Sequence, residues 1–356
     1  MRASCTPLRV AVDARNVAGD RRGLGRYVRA LLRRFVSCDE LQITLVLERR
    51  LALFQKNALA KMLGSSRFSV ARHVPLECDV VWHPWNGIFL HGGSAHVCTI
   101  ADVAPFRFPV DNAIRRMHEQ APFTAAAARA TRILTFSHAS KSDLTSLLNV
   151  APELIEVTYL GVDDSLGSQA LAPPKEVDDR PYLFFIGDPA EPRKNFELLY
   201  RAFRRAWPSG DGPRLAVLSE HNPDLPGVVH LKSDSEDLHG RENARLRALY
   251  NAALATVVPS LYEGFGMPVI ESMACGTPVI AARASSLPEI AGQAALLEDP
   301  HDKVAWSRAL QRVATDAALR KTLRELGLQN SRRFRWESCA TQTQAVFSEA
   351  AGVSIP

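Results

Sequence analysis

The chain alternates short apolar runs with amphipathic stretches, and it does so twice. The first series is LRVAVDA from Leu8, LQITLVL from Leu41, DVVWH from Asp79, HVCTI from His96, RILTF from Arg132 and IEVTYL from Ile155, separated by helical segments such as YVRALLRRF. Strands that are spaced by helices pair in parallel and are covered on both faces. A polar stretch from Gly167 to Arg180, with Pro173, Pro174 and several acidic residues, then breaks the pattern and reads as a linker. The series restarts with PYLFFIG from Pro181, RLAVLS from Arg214, GVVHLK from Gly227, LATVVPS from Leu254, PVIAA from Pro278 and AALLED from Ala294. Helical periodicity continues from His301 to the end. The expected fold class is α/β, with two Rossmann-like doubly wound domains. Their expected bounds are 1–170, a linker at 171–180, 181–335, and a C-terminal helix at 336–356 packing back toward the first domain.

Length agrees with that division, because 356 residues exceed one ordinary core and suit two. A hydrophobic fraction of 46% with 23% charged residues supplies packed interiors and argues against disorder. The N-terminal MRASCTPLRVAVDAR lacks the continuous apolar segment of a secretory signal, and no run reaches the roughly 18 apolar residues of a spanning helix. A cytoplasmic location is therefore expected, with surface contact at the inner face of an anionic membrane left open. Cys5, Cys38, Cys78, Cys98, Cys275 and Cys339 form no C-x-x-C pair, which suits reduced core thiols. The basic excess sits in the first half: 22 Lys and Arg against 17 Asp and Glu up to residue 178, and 21 against 21 beyond it. Arg21, Arg22, Arg26, Arg29, Arg33 and Arg34 concentrate there, either as a face for phosphates or an anionic surface, or as a solvated helix face.

In open α/β sheets, ligands bind at the carboxyl ends of the strands, so two such domains in tandem are expected to offer a cleft lined by those loops. A P-loop motif is absent, and Gly23-Leu24-Gly25 lacks the third glycine of a dinucleotide fingerprint. The informative segment is Pro259 to Ala282, PSLYEGFGMPVIESMACGTPVIAA. A strand is expected to end at Ser260, a glycine-interrupted loop to run from Glu263 to Met267, and a helix to start near Pro268. A helix start of that kind suits a diphosphate, because its amides and the positive end of its dipole face an anion. Glu263 and Glu271 lie about two helical turns apart and are suited to gripping hydroxyls. The plainer alternative is a helix N-terminus that merely favours acidic residues. The histidines His83, His91 and His96 are too loosely spaced for a metal site, and no metal is expected.

The stretch from Glu263 to Glu271, followed by SMACGTPVIA, resembles the Glu-x7-Glu signature of the large retaining GT-B glycosyltransferases of group 1 type, usually numbered family four. RRGLGRYVRALL, the run after Asp102, FSHASKSDL, VTYLGVD, FFIGDPAEPRKN and FRWESCA extend the resemblance over most of the chain, while Ser219 to Asp237 matches poorly. The resemblance implies a nucleotide-sugar donor, with Arg193 and Lys194 neutralising its diphosphate where leaving-group charge develops. It assigns the transferred sugar to Glu263 and the amides of Gly264, Phe265, Gly266 and Met267, and the ribose to Glu271. It further places Gly187, Gly23 and Gly25 on the donor side, with the glycines at 23 and 25 in the loop after the first strand, and Asp102 among the catalytic residues. Asn195 is expected to cap the following helix. No cofactor and no metal are implied, since side chains and a helix dipole carry the countercharge.

Many relatives read His-Asp where this chain has Ala101-Asp102. Either another group such as His138 substitutes, or acceptor geometry differs, or the chain is an impaired homologue that binds a nucleotide sugar or partner enzyme without turnover. RGLGRY and EPRKN resemble mannosyltransferases of surface polysaccharide assembly. They favour GDP-mannose as donor and a lipid-linked or polysaccharide acceptor. Nucleic acid is not an expected partner, because the arginines lack interleaved aromatics for base stacking.

Overall fold

A computed structural model of the chain describes residues 6–20, 23–47, 52–169, 175–177, 180–232 and 241–353. It divides into two compact units, Met1–Gly161 with Arg335–Pro356, and Val162–Phe334.

The first unit is built on β1 (Leu8–Asp13), β2 (Leu41–Val46), β3 (Ser69–Ala71), β4 (Val80–His83), β5 (Ala95–Thr99), β6 (Arg132–Thr135) and β7 (Ile155–Val157). Its helices are α1 (Gly23–Phe35), α2 (Ala52–Leu63), the short α3 (Ala104–Arg107), α4 (Ala113–Arg129) and α5 (His138–Leu148). The strands pair in parallel in the order β3-β2-β1-β4-β5-β6-β7. Central strands are covered on both faces, which is why they read as unbroken apolar runs: Val10, Val12, Val80, Val81, Trp82 and Val97 are all buried. The edge strand β3 carries no such run, and sequence patterning missed it.

The second unit holds β8 (Tyr182–Ile186), α6 (Phe196–Ala206), β9 (Arg214–Ser219), β10 (Val228–Lys232), α7 (Arg241–Ala252), β11 (Ala255–Val258), α8 (Met267–Ala274), β12 (Val279–Ala282), α9 (Leu287–Ala291), β13 (Leu296–Glu298), α10 (Lys303–Thr315) and α11 (Ala317–Ser331). Its parallel sheet runs β10-β9-β8-β11-β12-β13. Phe184, Ala216, Leu231, Leu249 and Tyr250 form one core layer beneath it. The last helix, α12 (Trp336–Ala350), returns to the first unit, where Phe347 meets Phe35 and Trp82 with ring centroids 5.7 Å from each.

The division between units falls at Gly161 and Val162 rather than near residue 170. Leu166 and Val177 are buried in the core of the second unit, so the described parts of the polar stretch pack onto it instead of spanning two bodies; residues 170–174, 178 and 179 lie outside the described residues. Cys78, Cys98, Cys275 and Cys339 are buried free thiols, and burial pushes Cys275 and Cys339 up to about 12. Among the described residues no helix is long and apolar enough to cross a membrane.

Candidate functional site

In the second sheet the chain steps from β8 to β9 to β10 in one direction and from β11 to β12 to β13 in the other. The order reverses between β8 and β11, so the loops leaving their carboxyl ends diverge and open a crevice. Those two loops carry Gly187, Arg193 and Lys194 on one side and Glu263 to Met267 on the other. Leu261 N donates to Arg193 O at 2.8 Å and ties the loops together.

At the centre is Glu263, only 8% exposed. Lys194 Nζ donates to its Oε1 at 2.6 Å, Ser260 Oγ donates to the same oxygen at 2.8 Å, and Arg193 Nη1 stands 3.6 Å from Oε2. Burial alone pushes this carboxyl up. The charges of Lys194 and Arg193, with the hydrogen bonds from Lys194 and Ser260, outweigh it and hold Glu263 below the ordinary carboxylate value. Arg193 also donates through Nε to Glu191 and through Nη1 to Tyr262 O at 3.4 Å. Gly187 makes room for the lysine: a Cβ there would sit 3.3 Å from Lys194 Cε, on a backbone at φ +142. The structure therefore brings together Arg193, Lys194 and Glu263, three residues separated by 69 positions across the pair, as one charged cluster.

Downstream, β11 ends at Val258 and α8 begins at Met267, with Gly266 at φ +104 before it. Phe265 turns inward, 4% exposed, and meets Phe334 edge to face at 5.6 Å. Glu271 has a separate environment: it is 1% exposed and its Oε2 accepts from Tyr250 Oη at 2.9 Å. Asn195 occupies the residue before α6 but makes no side-chain cap. Held at φ +53, it sends its amide to Pro259 O at 3.1 Å and Pro300 O at 2.8 Å, joining the loops after β11 and β13. The expected cap is replaced by a cross-loop brace, because the left-handed backbone aims the side chain away from the helix amides.

In the first unit Gly23 and Gly25 lie in the first turn of α1, not in the loop before it. Gly25 has a structural reason to lack a side chain, since a Cβ would fall 1.9 Å from Asp20 O. That carbonyl and Val17 O accept from Arg29 Nη1 at 2.6 and 3.0 Å. Arg33 donates to Met62 O and Arg34 pairs with Glu337, so these three arginines of the basic helix are engaged within the unit. Arg21 and Arg22 lie outside the described residues. After β5, Asp102 Oδ1 accepts from Ala104 N at 2.9 Å and turns the chain into α3, while Ala101 N donates to Asn86 Oδ1 at 2.8 Å. His138 opens α5 after the neighbouring strand β6, exposed, its ring edge to face with Tyr159. Sequence spacing gave no sign that His83 and His96 meet. Their Nε2 and Nδ1 are 2.9 Å apart, and burial followed by the nearness of His96 drives His83 down to about 3.

Residues 180–316 match the family model described as Glycosyl transferases group 1. The chain is 29% identical over 281 residues to the O-antigen chain mannosyltransferase B of Escherichia coli, covering 74% of this chain and 73% of that protein. It is 28% identical to the O-antigen chain mannosyltransferase RfbU of Salmonella typhimurium over 221 residues, 60% of each. Among solved structures, sucrose-phosphate synthase from Thermosynechococcus elongatus superposes with a TM-score of 0.72 at 18% identity, over 98% of this chain and all of that one. Anabaena HepE in complex with UDP-glucose superposes at 0.69 and 14%, over 96% of this chain and all of that one. The fold is GT-B, two Rossmann-like α/β domains.

Proposed function

We propose that this chain, which carries a Glycosyl transferases group 1 domain on a GT-B fold, moves a hexosyl group from a nucleotide sugar to a lipid-linked or polysaccharide acceptor with retention at the anomeric carbon. The donor read for it is GDP-mannose, supported by relatives named as O-antigen mannosyltransferases. The observation that carries the reading is the Arg193, Lys194 and Glu263 cluster at the β8–β11 crevice.

A departing diphosphate gains negative charge as the bond from anomeric carbon to phosphate oxygen breaks. Two cations fixed beside it stabilise that charge without reorganising at the moment of reaction. Lys194 is held by Glu263, whose carboxylate Ser260 fixes in turn, so its position is set before the donor arrives. The N-terminus of α8 adds the positive end of a helix dipole on the same side. On the front face, the acceptor oxygen forms the new bond to the anomeric carbon. Its proton passes to the leaving phosphate oxygen, so no protein nucleophile is needed, and the countercharge comes from side chains without a metal. Glu271, buried on α8, is assigned the ribose, and the first unit the acceptor, at the cytoplasmic side of a membrane.

A second reading rests on Ala101, where relatives by resemblance carry histidine: the chain binds a nucleotide sugar without turnover. The two separate in a transfer assay with radiolabelled GDP-mannose and lipid-linked or polysaccharide acceptors in EDTA. Label in acceptor with the α-anomeric configuration of the donor supports the transferase. Donor binding with no transfer to any acceptor supports the second reading.

A further inference from the structure

The helix α4 runs for 17 residues, yet only Phe123 and Ala126 of it are buried. It is held to the first unit from one side: Phe123 meets Phe106 edge to face with ring centroids 6.0 Å apart, and Gln120 Nε2 donates to Pro105 O at 2.8 Å. Helical spacing puts Ile114, Met117, Ala121, Ala125 and Ala128 together on the opposite face, and all five are exposed. Ile114 is 68% exposed and Met117 61%, and Phe108, just after α3, also lies at the surface. Large apolar side chains that adjoin at a surface, instead of scattering singly, mark a contact face. The helix is formed before any contact, because Asn112 Oδ1 accepts from Arg115 N at 2.9 Å and caps its start.

Arginines border this face. Arg115 and Arg129 are exposed along one flank of the stripe. Arg115 Nε donates to Glu119 at 2.8 Å, and a guanidinium carries four further N–H donors. From Ala104 to Ala130 the chain holds Arg107, Arg115, Arg116 and Arg129 against Asp111 and Glu119, a basic excess. The arginines of α1, by contrast, are engaged within the unit at Arg29, Arg33 and Arg34.

An apolar stripe bordered by cations suits the interface of an anionic bilayer, with the apolar face among acyl chains and the arginines at the phosphates. A second copy of the chain fits this face less well. A stable protein interface buries about 800 Å² on each partner around large anchors, whereas this stripe narrows to alanines after Met117. Antiparallel pairing of two such helices would also set arginine against arginine along the shared flank.

We propose that α4 is a membrane-docking helix: Ile114 and Met117 enter the edge of the acyl region of an anionic bilayer, and Arg115 and Arg129 meet its phosphate headgroups. The proposal adds a partner to the reading above without resting on the donor site.

The test is co-sedimentation of the full chain with vesicles of phosphatidylcholine, and of an equal mixture of phosphatidylcholine and phosphatidylglycerol. Wild type partitions onto the mixed vesicles and far less onto phosphatidylcholine alone. Ile114→Gln/Met117→Gln loses about tenfold or more in partitioning, with its thermal midpoint unchanged because both side chains are exposed. Arg115→Gln/Arg129→Gln loses about fivefold for each arginine at low salt, a difference that shrinks as salt rises. Partitioning of the Ile114 and Met117 variant equal to wild type, or wild type that ignores the mixed vesicles, overturns the proposal. So does a wild-type dimer in sedimentation velocity that the same variant converts to monomer, since a second copy then covers the face. Titration with GDP-mannose reports on the donor reading separately, so either can fail alone.

Discussion

Replacing Lys194 by Met removes one charge from the cluster and leaves Glu263 behind. The two side chains are 13% and 10% exposed, so the surviving carboxylate loses its closest partner in a nearly dry site. Breaking a buried pair from one side costs about 3 to 5 kcal/mol. Ser260 still donates at 2.8 Å and Arg193 stands 3.6 Å away, which places this case near the lower end, about 3 kcal/mol. For a unit of this size that is a fall of roughly 6 to 12 °C in its midpoint. The loss also depends on pH. Wild-type Glu263 lies below its ordinary value, so its contribution is present above about pH 4.5 and disappears as pH falls through the folded value. Without Lys194 the burial effect, which raises the carboxyl, gains weight, and the folded variant tolerates a neutral Glu263 better. The gap between wild type and variant therefore widens from pH 4 to pH 7. Scanning calorimetry across that range measures it, and Lys194→Met/Glu263→Gln recovers much of the loss. A gap that is absent at pH 7, or constant with pH, refutes the ion-pair reasoning. The pairing with Glu263 thus gives a Lys194 truncation a cost in stability as well as in charge beside the donor.

Further outcomes follow from the same geometry. Gly25→Ala drives a Cβ into Asp20 O and costs about 3 kcal/mol, the upper end of overpacking, read by denaturant titration; an unchanged midpoint contradicts the close approach. Asn195→Gly keeps the left-handed backbone but strands the carbonyls of Pro259 and Pro300, costing about 2 kcal/mol, and a neutral result removes the brace. His83 resists protonation until about pH 3, while the unfolded imidazole takes a proton near 6.5. Stability therefore falls as pH drops through that window, by up to about 1.4 kcal/mol per unit. His83→Asn should flatten the slope, and an equally steep variant refutes the assignment.

Much of the fold was legible because buried parallel strands have to be apolar along their whole length, as LRVAVD and YLFFI are. The three-residue β3 carries no such signal. The cluster was legible only by halves: Arg193, Lys194 and Glu263 stand out as charges beside glycines and prolines, but their pairing spans 69 residues and depends on the strand order. Ser260 and Tyr250 went unremarked because a serine or tyrosine in a loop or helix is ordinary by type, and its role lies in the carboxylate it meets. Gly25, read from the sequence as a donor-side residue, also has a structural reason to lack a side chain, the Asp20 carbonyl, which the sequence did not reveal.

The central claim is that Arg193 and Lys194, held in place by Glu263, neutralise the diphosphate of a sugar donor. Calorimetric titration of the full chain with GDP-mannose, other GDP-sugars and UDP-sugars in EDTA tests it directly. The account predicts saturable one-to-one binding of one such donor, weakened at least tenfold in Arg193→Ala. Binding by none of them, or binding indifferent to Arg193, would contradict it.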